Sequence, residues 1–327
     1  MKHDVVVIGS GPAGLSAAIE TKRRNLSVLV VDKGSIVNSI QNFPTNMIFF
    51  STVELLEIGG IPFASSTPHP TRIEAVNYYS RVAKFFRIQF RFNQKVLSVY
   101  RANKSFNLEL KNEISSQVDF VTADKVVLAT GFYDNPNLLN VSGENLPNVS
   151  HYYSEAGIHF GQSVIVVGGN NSAVEAALDL YRHGVEVKIL HRGEKLSKGV
   201  KYWILPDIEN RVKNNEIMAH FNGKILEIKP NAVIADVCGE RREFDCDFVY
   251  ILTGYHPAVH FLTEIGIMVD EKTGIPKHDP ATFESNVEGI FLAGSIVAGY
   301  DCNKIFIENG REHGKAIAKH LAGGKSL

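Results

Sequence analysis

At 327 residues and 36.1 kDa, the chain can bury one large core or two of ordinary domain size. Its 44% hydrophobic and 21% charged residues exclude the disordered and fibrous classes. A net charge of −1 and a pI near 6.9 argue against a general nucleic-acid or membrane-surface role.

In chain order, MKHDVVVIGSGPAG runs straight into a strand and a turn. No signal peptide precedes them and no apolar stretch reaches membrane-spanning length, so the expected location is cytoplasmic. DVVVIGSGPAGLSAAIE (4–20) reads as a buried strand, a Gly-rich turn and a helix, followed by a second strand, LSVLVVD, ending at Asp32. SVIVVGGNNSAVEAALDLY (163–181) repeats the pattern, followed by VEVKILHR ending at Arg192. DKVVLATGF (124–132) is echoed by DFVYILTGY (247–255), each a strand ending in Thr-Gly. The fold class expected from this duplication is α/β, with two Rossmann-like, three-layer ββα nucleotide-binding domains. They are expected to be nested. Residues 136–250 form the second domain, inserted into a first made of 1–135 and 251–327. GFYDNPN and TGYHPAV serve as the crossings, rich in Gly, Pro and Asn.

The chemistry follows from the turns. Gly9, Gly11 and Gly14 fit G-x-G-x-x-G, which permits a tight turn and close backbone approach to a pyrophosphate at a helix N-terminus. Asp32, 18 residues after Gly14, is placed to accept hydrogen bonds from an adenosine ribose. In the second turn Gly168 and Ala173 keep their places, but Asn170 replaces the middle glycine. Asn tolerates left-handed backbone, so the turn is expected to form, with a side chain able either to crowd the pyrophosphate or to hydrogen-bond to it. His191 and Arg192 stand where the first unit has Asp32, with Lys195, Lys198 and Lys201 following. A carboxylate suits free hydroxyls, whereas a basic set suits a 2′-phosphate. FAD is therefore expected in the first domain and NADPH in the second. In the tail, the strand GIFLAG leads through a polar loop to a helix expected from about Lys304. That helix N-terminus would face the flavin pyrimidine edge. Cys238, Cys246 and Cys302 show no CxxC or metal spacing, so neither a metal site nor a disulfide framework is expected.

GSGPAG, LATG, GGNNSAVEAA, HR and GIFLAG, in that order, resemble the low-molecular-weight thioredoxin reductase superfamily. The resemblance implies a homodimer, and FAD contacts at Gly9, Ser10, Gly11, Pro12, Ala13, Gly14, Asp32, Lys33, Asn42, Val96, Thr130, Gly131, Gly294, Ser295, Lys304 and Ile305. It implies NADPH contacts at Gly168, Gly169, Asn170, Asn171, Ser172, Ala173, Glu175, His191, Arg192, Lys195 and Gly254. Glu175 matches a glutamate near the nicotinamide and is one candidate catalytic residue; its plain alternative is an exposed helix glutamate. His151 and Ser154 of HYYS fall where thioredoxin reductases carry a CxxC, and neither can form a disulfide, so a dithiol relay is not expected there.

SIQNFPTNMIFFSTVELLEIGGIPF, HPTRIEAVNYYSRV, VKYWILPDIENRV and NKIFIENGREHG narrow the resemblance to the bacillithiol disulfide reductase family of the YpdA type. It implies an NADPH-dependent FAD reductase acting on a small-thiol disulfide. Two departures stand out. Ala13 takes the place of a cysteine common in that family, and Ser295 that of a flavin-contacting aspartate. Cys302 is the other candidate catalytic residue, with a small packed residue as its alternative. Arg72, Lys201 and Tyr202 are candidates for contacting a polar acceptor. A small redox protein is the alternative acceptor, as in ferredoxin- or flavodoxin-NADP reductases; the aromatic-free end AKHLAGGKSL counts against it. A non-catalytic redox sensor is the third reading, favoured by Asn170 and Ser295.

Overall fold

The computed structural model describes residues 2–301 and 304–323. Contacts group them into two units: Met1–Gln41, Met47–Asn135 and Tyr255–Leu327 in the first, Asn42–Asn46 and Pro136–Gly254 in the second.

β1 (Lys2–Ile8) reads as an apolar run because both its faces are covered, with Val5, Val6 and Val7 at most 1% exposed. α1 (Pro12–Lys22) opens on Pro12, whose fixed φ suits a first helical turn. It returns the chain to β2 (Val28–Val31), parallel to β1. The single-turn helices α2 (Asn38–Gln41) and α3 (Val53–Leu56) precede α4 (Arg72–Phe85). A capping box starts α4: Thr71 Oγ1 accepts the Glu74 N–H while the Glu74 carboxylate accepts the Thr71 N–H. Those bonds pull the Glu74 carboxyl down to about 2.

β3 (Gln89–Arg91) pairs with β2, and β4 (Gln94–Ala102), β5 (Ser105–Asn112) and β6 (Val118–Leu128) form an antiparallel meander. β6 belongs to two layers. Its first half pairs with β5, and its second half runs parallel to β1. Val99, Phe106, Leu108 and Leu110 of the meander close over Val6, Ile8, Leu29 and Val31 of the parallel strands.

The second unit repeats this plan. β7 (Val149–Ser150), β8 (Ser163–Val167), α5 (Asn171–Arg182), β9 (Glu186–Leu190), α6 (Leu205–Lys213) and β10 (Met218–His220) come first. The antiparallel β11 (Gly223–Lys229), β12 (Ala232–Val237) and β13 (Glu240–Asp245) follow, then β14 (Phe248–Ile251). The parallel sheet has the order β10-β9-β8-β14-β7. Ile165, Val167, Val249 and Ile251 pack on the meander, while α5 and α6 pack on the other face.

The chain then completes the first unit with α7 (Val259–Glu264), β15 (Ile290–Leu292), α8 (Ile307–Gly310) and α9 (His313–Gly323). β15 lies parallel to β6, and α9 packs along α1. Both units are thus three-layer ββα folds, as the duplication implied. The tail helix differs from expectation. Instead of one helix from Lys304, a single turn starts at Ile307, and a turn at Arg311–Glu312 separates it from α9. The Asn309 amide explains the late start, since it accepts the Phe306 N–H and donates to the Lys304 carbonyl.

Candidate nucleotide sites

In the first unit, β2, β1, β6 and β15 are adjacent and parallel, so their carboxyl ends share one edge. Such an edge is where open α/β sheets bind ligands. Gly9, at φ 106, leaves β1 so tightly that a Cβ on it would lie 2.3 Å from the Ala129 carbonyl oxygen. A Cβ on Gly14 would lie 2.0 Å from the Gly9 carbonyl, so only glycine lets α1 approach the turn. Gly11 differs: its backbone is extended and nothing lies within 4 Å of a Cβ there. That open space at the start of an eleven-residue helix suits a pyrophosphate.

Asp32 is held by its own chain. Its Oδ2 accepts the Ser10 N–H and hydroxyl, both at 2.7 Å, and Oδ1 accepts the Gly34 N–H at 2.9 Å. Ser10 is fully buried and Asp32 nearly so, which fixes the carboxylate while leaving lone pairs for ribose hydroxyls. The other expected contacts gather close by. A Cβ on Gly294 would lie 2.8 Å from Ala13 Cβ, and one on Gly131 would lie 3.9 Å from Ser295 Oγ. Thr130 Oγ1 is buried with no hydrogen-bond partner among the described residues, a polar atom that awaits one. These residues fit a flavin dinucleotide.

Five further expected flavin contacts have partners or surroundings within the chain. Lys33 pairs with Asp134 at 3.1 Å, Val96 belongs to the apolar core, and Ile305 packs against that core. Lys304 is exposed and pairs with Asp301 at 3.2 Å, while Asn42 groups with the second unit. The signal for these five is family position, which carries no information on side-chain partners.

In the second unit Gly168, at φ 148, sits where a Cβ would meet the Leu252 carbonyl at 2.6 Å and Ala173 Cβ at 2.8 Å. Asn170 caps α5 with φ −115 and ψ −173. This corrects the sequence argument: the middle position is extended in both turns, so no left-handed tolerance is needed there. Its amide is turned toward Gly199, with Oδ1 3.3 Å from where a Gly199 Cβ would be. The segment after β9 closes back over the turn. The Ser197 N–H donates to the Gly169 carbonyl, and the Asn171 side chain accepts the Lys201 N–H and donates to the Gly199 carbonyl, both at 2.9 Å. Lys201 in turn holds Glu175 at 2.5 Å.

The His191 ring packs over Gly169, about 2.5 Å from where its Cβ would be. Burial, with Arg192 beside it, lowers the His191 pKa, so near neutral pH the ring is uncharged. The positive charge of this segment then rests on Arg192, Lys195 and Lys198. At Gly254, the carbonyl accepts the Asn137 N–H at 2.9 Å, which ladders the two crossing segments together.

HYYS is knit into the second unit. The Ser154 carbonyl accepts the Thr45 N–H at 2.9 Å, and His151 Nε2 lies 3.4 Å from the buried Glu144 carboxylate. Tyr153 is buried, donates to Asp179, and stands edge-on to Tyr250 at 5.2 Å. Cys246 is buried and its thiol is pushed up to about 11 by burial, far from a nucleophile's range. Cys238 is exposed. Cys302 lies outside the described residues. Of the acceptor candidates, Arg72 Nη1 donates to the Gln41 carbonyl at 2.8 Å, and Tyr202 is exposed beside Trp203. His313 received no role from the sequence, although its imidazole reaches the loop that follows β15; a histidine between Gly310 and Gly314 at a helix start was the available signal.

Residues 6–294 match the pyridine nucleotide-disulphide oxidoreductase family. The chain is 42% identical over 325 residues to the bacilliredoxin reductase Bdr of Bacillus subtilis (strain 168), covering 98% of both chains. Its fold superimposes on the bacillithiol disulfide reductase Bdr (YpdA) from Bacillus cereus with a TM-score of 0.96 and 42% identity, covering 99% of this chain and 100% of that one. For the Staphylococcus aureus protein of that name the TM-score is 0.94 at 38% identity, each chain fully covered. FAD and NADPH are the cofactors that this membership implies, and the two turns described above fit them. The chain belongs to the pyridine nucleotide-disulphide oxidoreductase family and, within it, to the bacillithiol disulfide reductases that its sequence resembles.

Proposed function

We propose that the chain oxidises NADPH and reduces bacillithiol disulfide, with the disulfide of a bacilliredoxin as a second acceptor. The overall change is NADPH + H⁺ + RSSR → NADP⁺ + 2 RSH, which balances in electrons and protons. The observation that carries this reading is near-full-length identity to the Bdr relatives, combined with His151 and Ser154 where a dithiol would be needed for thioredoxin. FAD, when bound, supplies an acceptor for the nicotinamide hydride and a donor for the disulfide.

The residues position and tune. Asp32 takes the adenosine ribose, Gly9 to Gly14 cradle the pyrophosphate, and Thr130 and Ser295 offer hydroxyls further along the same edge. In the second unit the turn from Gly168 to Ala173 takes the NADPH pyrophosphate, while Arg192, Lys195 and Lys198 take its 2′-phosphate. Lys201 fixes Glu175 for the nicotinamide end. Among the described residues no helix is long and apolar enough to cross a membrane, and free cysteines accord with a reducing cytoplasm. A homodimer is the assembly the family implies. The exposed Ile48, Phe50 and Ile73, grouped about the Ile48–Thr71 bridge, support it.

Steady-state NADPH oxidation with bacillithiol disulfide, oxidised bacilliredoxin and ferredoxin as separate acceptors tests the reading. Turnover with either of the first two and none with ferredoxin is expected. Turnover with ferredoxin alone would overturn it.

A further inference from the structure

The loop that follows β15 carries two of the residues assigned to FAD, Gly294 and Ser295, and one side chain far along the sequence holds it. Gly294 sits at φ 78, with Ala13 on one side and Gly310 on another. A Cβ on Gly310 would lie 3.3 Å from Gly294 Cα. The Gly294 N–H is buried and donates to His313 Nδ1 at 3.1 Å. For Nδ1 to accept, the imidazole must be neutral with its proton on Nε2.

The ring is well fixed. It is 6% exposed and stacks on Phe283 at 4.1 Å and 19°, and Phe283 stacks on His278 at 5.9 Å. Phe283 keeps φ 59, which costs a non-glycine residue, and its carbonyl accepts the Leu292 N–H of β15. α9 is in turn fixed to α1. A Cβ on Gly314 would lie 2.6 Å from the Ala17 nitrogen, and Ser16 Oγ donates to the Arg311 carbonyl at 2.6 Å. His313 therefore ties the helix behind the Gly-rich turn to the loop beside it.

We infer that His313 is a positioning residue for the flavin: by accepting the Gly294 N–H it sets the 294–298 loop against Ala13, Thr130 and Gly131. This rests on the assignment of FAD to the first unit. Two substitutions in the full chain separate positioning from packing. In His313→Asn the side-chain oxygen can replace Nδ1 as acceptor; in His313→Phe the stack is kept and the acceptor is lost. The readouts are FAD affinity of the apoprotein, the visible spectrum of bound flavin, and apoprotein Tm.

His313→Asn is expected to hold FAD within about threefold of wild type with an unchanged spectrum. His313→Phe is expected to lose about tenfold in affinity, the loss typical of a buried donor left unpaired, with an altered spectrum and a Tm no lower than that of His313→Asn. Wild-type affinity and spectrum in His313→Phe overturn the inference, as does loss of FAD in both variants in proportion to Tm. Gly11→Leu is the control for the underlying assignment. Undiminished FAD binding there sinks the assignment itself, whereas its loss beside an unaffected His313→Phe sinks only the positioning role. Hydrogen exchange at Gly294 in folded wild-type apoprotein needs no variant: protection is expected, and fast exchange overturns the lock.

Discussion

Asp32 accepts three hydrogen bonds from its own chain before any ligand arrives. Asp32→Ala should therefore cost stability as well as cofactor. The Ser10 hydroxyl keeps the Ser35 carbonyl as an acceptor, but leaving the buried Ser10 N–H unpaired is expected to cost about 1–3 kcal/mol, read as a lower Tm of a colourless protein. A yellow variant of wild-type Tm would contradict it. Arg192 is the charged neighbour of an uncharged His191, so Arg192→Ala should raise KM for NADPH about 10- to 100-fold, the weight of a charge-assisted hydrogen bond. KM for NADH should hardly change; an equal rise for both would remove Arg192 from phosphate recognition. At this scale the glycines and Asp32 were legible because their spacing follows from backbone sterics. Asn170 was misjudged because residue preference stood in for the actual torsion, which is extended. His313 was illegible as a loop anchor because its partner, Gly294, lies 19 residues away.

The elements most readable in the sequence were the parallel strands, since β1, β8 and β14 are buried on both faces and read as unbroken apolar runs. Strands β4, β5, the first half of β6 and β11 to β13 were not read individually. Their outer faces meet water, so polar residues interrupt the pattern, as the alternation of buried Val96 and Val99 with exposed Lys95, Leu97 and Tyr100 in β4 and the exposed ERR of β13 show. HYYS lies between β7 and β8, beside a buried chain in which His159 bridges Gln162 at 2.7 Å and the Tyr250 hydroxyl at 2.8 Å. Burial pushes the Tyr250 phenol up to about 12, so it stays protonated as a hydrogen-bonding group. Tyr250→Phe would leave His159 Nε2 buried and unpaired. It should destabilise the protein by about 1–3 kcal/mol in urea unfolding, while kcat with NADPH and disulfide stays at the wild-type value. A collapse of kcat in a fully folded variant would show that this network serves the reaction.

For the whole molecule, acid is the revealing stress. Burial, with His278 nearby and opposed by Glu312, lowers the His313 pKa from 6.5 to about 4. In the unfolded chain the ring gains its proton near pH 6.5, but in the folded chain it does so only near pH 4. The unfolded state thus binds more protons in that window. Stability from the neutral ring is complete above pH 6.5, falls as pH drops to 4, and is lost below. The loss is about 3 kcal/mol. Between neutral pH and pH 4, wild type should lose about that much more unfolding free energy than His313→Asn, whose side chain does not titrate. Parallel curves would mean that the ring titrates normally in the fold.

The molecule-wide plan of two nucleotide units was legible because it is written twice in the chain; the electron acceptor was not, because no motif for it exists apart from family likeness. The central claim is that electrons leave the protein without an internal dithiol. Anaerobic titration of the purified holoprotein with NADPH, followed by flavin absorbance, tests it most directly. One NADPH per FAD should bleach the flavin completely, with no second equivalent consumed and no thiols newly exposed to a thiol reagent. Uptake of two NADPH per FAD, with two thiols appearing, would place a redox-active disulfide in the path and contradict the account.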